Sequence, residues 1–126
     1  MSLILTINPG STSTKIAVYQ DRKEVFEKTL RHSAEVIAQY DNIIDQYEFR
    51  KNTIVEALTE NNIALSQLSA IVGRGGLLRP IPSGIYEVNS SMIEVLKSAK
   101  YGEHASNIGG ILVNELAKEF NGCRAF

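Results

Sequence analysis

The apolar segment Leu3-Ile4-Leu5-Thr6-Ile7 runs directly into Asn8-Pro9-Gly10-Ser11-Thr12-Ser13-Thr14-Lys15, and the chain leaves again as Ile16-Ala17-Val18-Tyr19. Two strand-forming segments joined by so short a polar turn constrain the chain more than any other feature. They are placed to pair with each other, and the pairing is expected to be antiparallel. Gly10 permits a backbone conformation that a larger residue resists. Asn8 adds an amide, Ser11–Thr14 four consecutive hydroxyls, and Lys15 a cation. Backbone N–H groups and hydroxyls converging beside a lysine suit a phosphate or a carboxylate. A Walker A loop needs G-x-x-x-x-G-K-[ST] opening a helix, and a dinucleotide loop needs G-x-G-x-x-G. Neither spacing is present. On these residues alone, an ordinary Ser/Thr-rich hairpin turn is an equally good reading.

The rest of the chain bounds the function classes. Its 126 residues suffice for one domain with a core of its own. The 13 basic and 14 acidic residues are interspersed and leave a net charge of −1, so no basic patch points to nucleic acid. Charge complementarity to an anion must then be local, at Lys15, Arg74 or Arg79. The single cysteine, Cys123, excludes an internal disulfide and fits a reducing, cytoplasmic setting. No signal peptide is evident, and no apolar run approaches the about 20 residues of a membrane helix.

Periodicity orders the elements. Strands are expected at about Leu3–Asn8, Thr14–Gln20 and Glu24–Leu30, with a turn at Asp21-Arg22-Lys23, making a three-stranded meander. Ser33 reads as a helix N-cap. Ile37, Tyr40, Ile44, Tyr47, Ile54 and Leu58 form one face of a helix over about Ala34–Glu60, with Asp41-Asn42 the place for an interruption and Asn61-Asn62 a left-handed stop. Leu68–Val72 reads as a buried strand that returns to the same sheet and delivers Gly73-Arg74-Gly75-Gly76 to a loop. A short strand is expected at Gly84–Val88. Ser91-Met92-Ile93-Glu94 has capping-box spacing ahead of a helix. A last helix is expected over about His104–Phe120, ended by Asn121-Gly122.

The turn N-x-G-S-x-S-x-K resembles the first phosphate loop of the acetate and sugar kinase/actin superfamily, and within it the short-chain acyl kinases. Acetate kinases usually read N-A-G-S-S-S-x-K; Pro9 and Thr12 are closer to the butyrate kinase branch. Val72-Gly73-Arg74-Gly75-Gly76-Leu77-Leu78-Arg79-Pro80 and Gly102-Glu103-His104-Ala105-Ser106-Asn107 agree, in the same order. The chain therefore resembles the N-terminal portion of a butyrate or branched-chain carboxylate kinase.

This resemblance implies an α/β, ribonuclease H-like (actin-like ATPase) domain. It implies reversible transfer of the ATP γ-phosphoryl to the carboxylate of butyrate or a related short-chain acid, with ATP/ADP and Mg²⁺ as cofactors. Gly10, Ser11, Thr12, Ser13 and Lys15 would bind phosphate. Asn8, Arg74 and His104 would be catalytic, with Arg74, Arg79 and His104 on the substrate. Arginine grips a carboxylate or phosphate through two parallel hydrogen bonds, and Arg79 is the alternative to Arg74. His104 would donate to transition-state oxygens. His32 has no motif around it and reads as structural, and Cys123 as incidental. Ile81, Pro82, Tyr86 and Val88 either line an acyl pocket or only pack the loop.

Family members are much longer, so residues 1–126 are expected to be the first domain portion, with the metal ligand, the adenosine pocket and a second, nucleotide-binding domain beyond Phe126. Such a chain is expected to be inactive alone, to lack the next strand of its sheet, and to self-associate as a homo-oligomer. No nucleic-acid or membrane partner is expected. Two other readings stand: acetate or propionate kinase specificity, and an inactive anion-binding or interaction module.

Overall fold

The computed structural model describes residues 2–119 and 123–126. Three antiparallel strands, β1 (Leu3–Pro9), β2 (Ser13–Gln20) and β3 (Lys23–Arg31), form the meander. After the helical region the chain returns as β4 (Leu68–Gly73), parallel to β1, and ends in β5 (Arg124–Ala125), parallel to β4. The sheet order is β3-β2-β1-β4-β5.

Alternation along the strands decides which face is covered. Leu5 and Ile7 of β1 pair with Val18 and Ile16 of β2, and all four are buried. Thr6 and Asn8, on the opposite face, pair with Ala17 and Lys15, and both Asn8 and Lys15 are exposed. Helices α2 (Tyr47–Glu60) and α4 (Asn107–Lys118) supply Ile54 and Leu58, and Ile108, Leu112 and Leu116, to the same core as Leu5, Ile7 and Ile71. Burying each such side chain stabilises by about 1.5–3 kcal/mol.

Several expectations change. The helix expected over Ala34–Glu60 is split. Ser33 does cap a helix, its Oγ accepting from the Val36 N–H at 3.2 Å, but that helix, α1, is only Ala34–Ile37. A 3-10 turn at Ile43–Gln46 then leads into α2. Tyr40 and Phe49 face each other at 6.2 Å between ring centres, so the apolar stripe is shared between two short pieces instead of one rod. The stop is as expected: Asn62 has φ 60°. Helix α3 (Ser90–Ser98) is capped by Asn89, which accepts from the Met92 N–H at 2.9 Å, so the capping-box reading at Ser91 is two residues late. Helix α4 starts at Asn107, not His104. Its expected end at Phe120 and Asn121-Gly122 lies outside the described residues.

The expectation that the sheet lacks a strand beyond β4 is corrected by β5. Arg124–Ala125 fills that edge, and the Val88 N–H donates to the Ala125 carbonyl at 3.0 Å from the far side. The segment Gly84–Val88 is not a strand; that single hydrogen bond and an Arg124–Glu87 ion pair are its strand-like features.

Candidate active site

Antiparallel pairing puts Asn8 directly opposite Lys15, and the parallel neighbour β4 ends beside them. The Arg74 N–H donates to the Ile7 carbonyl at 2.9 Å and carries the β1–β4 pairing one residue past the strand. Three adjacent strands thus bring Asn8, Lys15 and Arg74 to one groove of about 300 Å³, on the sheet face opposite the helices. Two of the three sequence segments singled out above therefore meet there.

A close approach fixes the end of β4. A Cβ on Gly109 would stand 2.5 Å from the Arg74 carbonyl oxygen, and one on Gly73 2.9 Å from the Gly109 carbonyl oxygen. Only glycine lets α4 lie this near the strand end. Asn107, buried at the first turn of α4, accepts from the Leu77 N–H and donates to the Gly102 carbonyl, both at 2.8 Å. This amide ties the glycine-rich loop to the segment ahead of α4.

Arg74 also lines a second cavity, of about 390 Å³, with Arg79 and the apolar side chains of Leu78, Ile81, Pro82, Tyr86, Val88 and Met92. The four residues for which an acyl pocket or loop packing stood open, Ile81, Pro82, Tyr86 and Val88, share that one cavity. Arg74 thus lines both this cavity, with its cluster of apolar loop side chains, and the groove of Asn8 and Lys15. Among the described residues no carboxylate pairs with it.

Lys15 is ion-paired to Glu27 at 3.5 Å, with both side chains about half exposed. Such surface pairs are worth about 0–1 kcal/mol, and an arriving anion can displace the carboxylate. Glu24 also lines the groove. Its carboxyl is held above the ordinary value by a hydrogen bond with Glu27, then by desolvation and the Glu27 charge, with Lys15 opposing.

The turn itself does not line the groove; Gly10–Ser13 form the tip of the hairpin whose strands do. Ser11 and Thr12 are exposed, and the Gly10 N–H donates to the Ser13 carbonyl at 2.7 Å. The turn is held from beneath by Arg50 of α2, which is fully buried. One terminal nitrogen of its guanidinium donates to the carbonyls of Gly10 (2.7 Å) and Ser13 (3.0 Å) and to Thr14 Oγ1 (3.3 Å). The other donates to the Ser11 carbonyl (3.4 Å) and to Gln46 Oε1 (2.8 Å), and Nε donates to Gln46 Oε1 (3.1 Å). Thr14 Oγ1 also lies 2.8 Å from His32 Nε2, and the His32 N–H donates to the Thr12 carbonyl at 2.9 Å. Burial, then the Arg50 charge, pushes the His32 pKa below its ordinary value. His32 is structural, as read from the sequence, but its structural task is the turn.

His104 is placed apart from both cavities. It is exposed, and its Nδ1 accepts from the Ser106 N–H at 3.1 Å and lies 2.8 Å from Ser106 Oγ. The ring is used locally, just ahead of α4. Arg50, Gln46 and Asn107 were not singled out in the sequence. The available signal was spacing: Gln46 and Arg50 continue the Ile54 and Leu58 stripe at intervals of four, so two polar residues occupy positions on a buried face.

Among the described residues no group of three or more His, Cys, Asp or Glu side chains is placed to hold a metal ion. No helix among them is long and apolar enough to cross a membrane.

No protein-family model matches the chain. It is 63% identical over 121 residues to Butyrate kinase 1 of Clostridium acetobutylicum, covering 96% of this chain and 34% of that protein. It is 53% identical over 117 residues to Butyrate kinase 2 of the same organism, covering 93% and 33%. The chain spans about a third of the length of these curated relatives. Among solved structures it is similar to YeaZ from Pseudomonas aeruginosa, with TM-score 0.50, 16% identity and coverage of 94% of this chain and 40% of that one. It is also similar to T. thermophilus RuvC in complex with a Holliday junction substrate, with TM-score 0.50, 13% identity and coverage of 100% and 64%. At such identities the likeness concerns the fold alone, which is α/β and ribonuclease H-like. By sequence, this chain is similar to the first third of the butyrate kinases, matched along nearly all of its own length and about a third of theirs.

Proposed function

We propose that this chain forms the acyl- and phosphoryl-facing part of a carboxylate kinase that transfers the γ-phosphoryl of ATP reversibly to butyrate or a related short-chain acid. The observation that carries this reading is the position of Arg74, shared by the cavity that holds Ile81, Pro82, Tyr86 and Val88 and the groove of Asn8 and Lys15. In this reading the alkyl chain enters the hollow beside Ile81, Pro82, Tyr86 and Val88. The carboxylate meets the Arg74 guanidinium in bidentate fashion, with Arg79 as a second cation at the same cavity. Lys15 and the Asn8 amide face the transferring phosphoryl, and the Gly10–Ser13 turn holds the phosphates through N–H groups and hydroxyls.

The chemistry needs positioning and charge neutralisation more than covalent help. A carboxylate oxygen forms the new bond to the γ-phosphorus while the bond to the β–γ bridging oxygen breaks, giving acyl phosphate and ADP. No general base is required, because the acid is already an anion; this removes the main demand for a histidine and fits the placement of His104. Mg²⁺, when bound, would spread the phosphate charge. The described residues include no set fitted to it, and none is assigned.

Sequence similarity to butyrate kinases supports butyrate over acetate or propionate. The test is formation of acyl phosphate, trapped with hydroxylamine, from ATP, Mg²⁺ and butyrate by a protein of full family length bearing this chain. Butyryl hydroxamate is expected, at lower yield from acetate. Its absence, in a folded protein, would overturn the reading.

A further inference from the structure

We infer that Arg50 is a positioning residue that sets the amides of Ser11 and Thr12 as an anion-binding nest and lends that nest its buried charge. Arg50 has this role only if the Asn8–Lys15 turn binds phosphate, as proposed above.

The first support is geometric. Arg50 draws the carbonyls of Gly10, Ser11 and Ser13 toward the core. No peptide bond among the described residues is cis. In a trans peptide the carbonyl and the following N–H point to opposite sides. Turning the Gly10 and Ser11 carbonyls inward therefore turns the Ser11 and Thr12 N–H groups outward. Both residues are exposed, and neither N–H donates to another group among the described residues. Two consecutive amides on the outer side of a turn form a donor pair suited to an anion.

The second support is electrostatic. A buried guanidinium is costly unless it is paired. The partners of Arg50 are Gln46, Thr14 and three carbonyls, all neutral, and no carboxylate pairs with it among the described residues. The hydrogen bonds are satisfied and the charge is not. A phosphate on the outer side of the same turn would lie close to this cation across one layer of peptide units, with little water between to screen it. Gln46 reinforces the arrangement by accepting from two guanidinium nitrogens, which sets the plane of the fork.

Arg50→Lys keeps the cation and loses the planar fork, while Arg50→Met keeps much of the volume and loses both. The probe is inorganic pyrophosphate, titrated into the purified chain while the Ser11 and Thr12 amide resonances are followed and thermal stability is measured separately. In the wild type both amides are expected to shift on saturation. In Arg50→Lys the affinity is expected to fall about tenfold with a small change in melting temperature, and in Arg50→Met about a hundredfold. A merely structural arginine would lower the melting temperature and leave the affinity of the folded protein unchanged; that result overturns the positioning role. If Arg50→Met does not fold, Arg50→Lys decides alone, and wild-type affinity there overturns it equally. If pyrophosphate leaves the wild-type amides unmoved, the turn is not a phosphate loop, and the role of Arg50 falls with it.

Discussion

The two loops that flank the groove are built in opposite ways. The Gly10–Thr14 turn is short and held by a buried arginine, a buried threonine and a buried histidine. The Arg74–Val88 segment is longer and largely exposed, with Ile85 at 79% exposure, and is tied down mainly by Asn107 at one end and Val88 at the other. The difference follows what each would bind. A phosphate has one shape, so donors set in advance lose nothing by rigidity. An alkyl chain offers no directional partner and varies in length, so an apolar, adjustable wall serves it.

The largest test removes charge from the groove. In a butyrate kinase of full length bearing these residues, Arg74→Ala and Lys15→Ala are each expected to lower kcat by about 100- to 1,000-fold, as for loss of an oriented contact to developing charge. Asn8→Ala should act in the same direction. Because Asn8, Lys15 and Arg74 are exposed, melting temperatures should change little, and steady-state kinetics with calorimetry checks both. Wild-type turnover in all three would remove them from the mechanism.

A substitution behind the groove should do the reverse and act through the fold. Gly109→Ala has no room against the Arg74 carbonyl. It is expected to cost about 1–3 kcal/mol by forcing α4 from the strand, measured by urea denaturation. An unchanged midpoint would mean that α4 tolerates a wider spacing.

The open loop should separate specificity from stability. Ile81→Ala and Tyr86→Ala are expected to change the ratio of kcat/KM for butyrate over acetate by about tenfold, the scale of a methylene or two in an apolar pocket. Both side chains are substantially exposed, so unfolding should shift by less than about 0.5 kcal/mol. Equal effects on both acids would mean that the loop only packs.

The smallest effect is on pH. The folded-state pKa of His32 lies below its ordinary value, so between that lowered value and about pH 6.5 the unfolded chain binds more protons than the folded one. Stability should therefore fall as pH is lowered through this window. His32→Gln should flatten that slope in acid-denaturation curves; an unchanged slope would place its origin elsewhere.

What the sequence disclosed was local. The Asn8–Lys15 turn could be read because its chemistry lies in consecutive residues between two alternating strands. The return of a buried strand to the same sheet followed from the apolar run Leu68–Val72; that it runs parallel to β1 came from the structure. Arg50 and Asn107 escaped because their tasks lie in distant segments: Arg50 serves a turn about 40 positions earlier, and Asn107 a loop 30 positions earlier. The strand β5 is too short to carry a pattern. Gly84–Val88 had strand-like residues but no ladder to join beyond one hydrogen bond.

The distance along the chain between Arg50 and Gly10 has a consequence for how the molecule is made. The β1–β2 hairpin involves only local contacts and can form early, yet its tip has no carbonyl clamp until α2 has closed a loop of about 40 residues and docked. During synthesis the hairpin leaves the ribosome well before Arg50 does. Anion binding at the tip should therefore be gained late, with the docking of α2, so the moment at which refolding chain first responds to pyrophosphate would time the closure of the core.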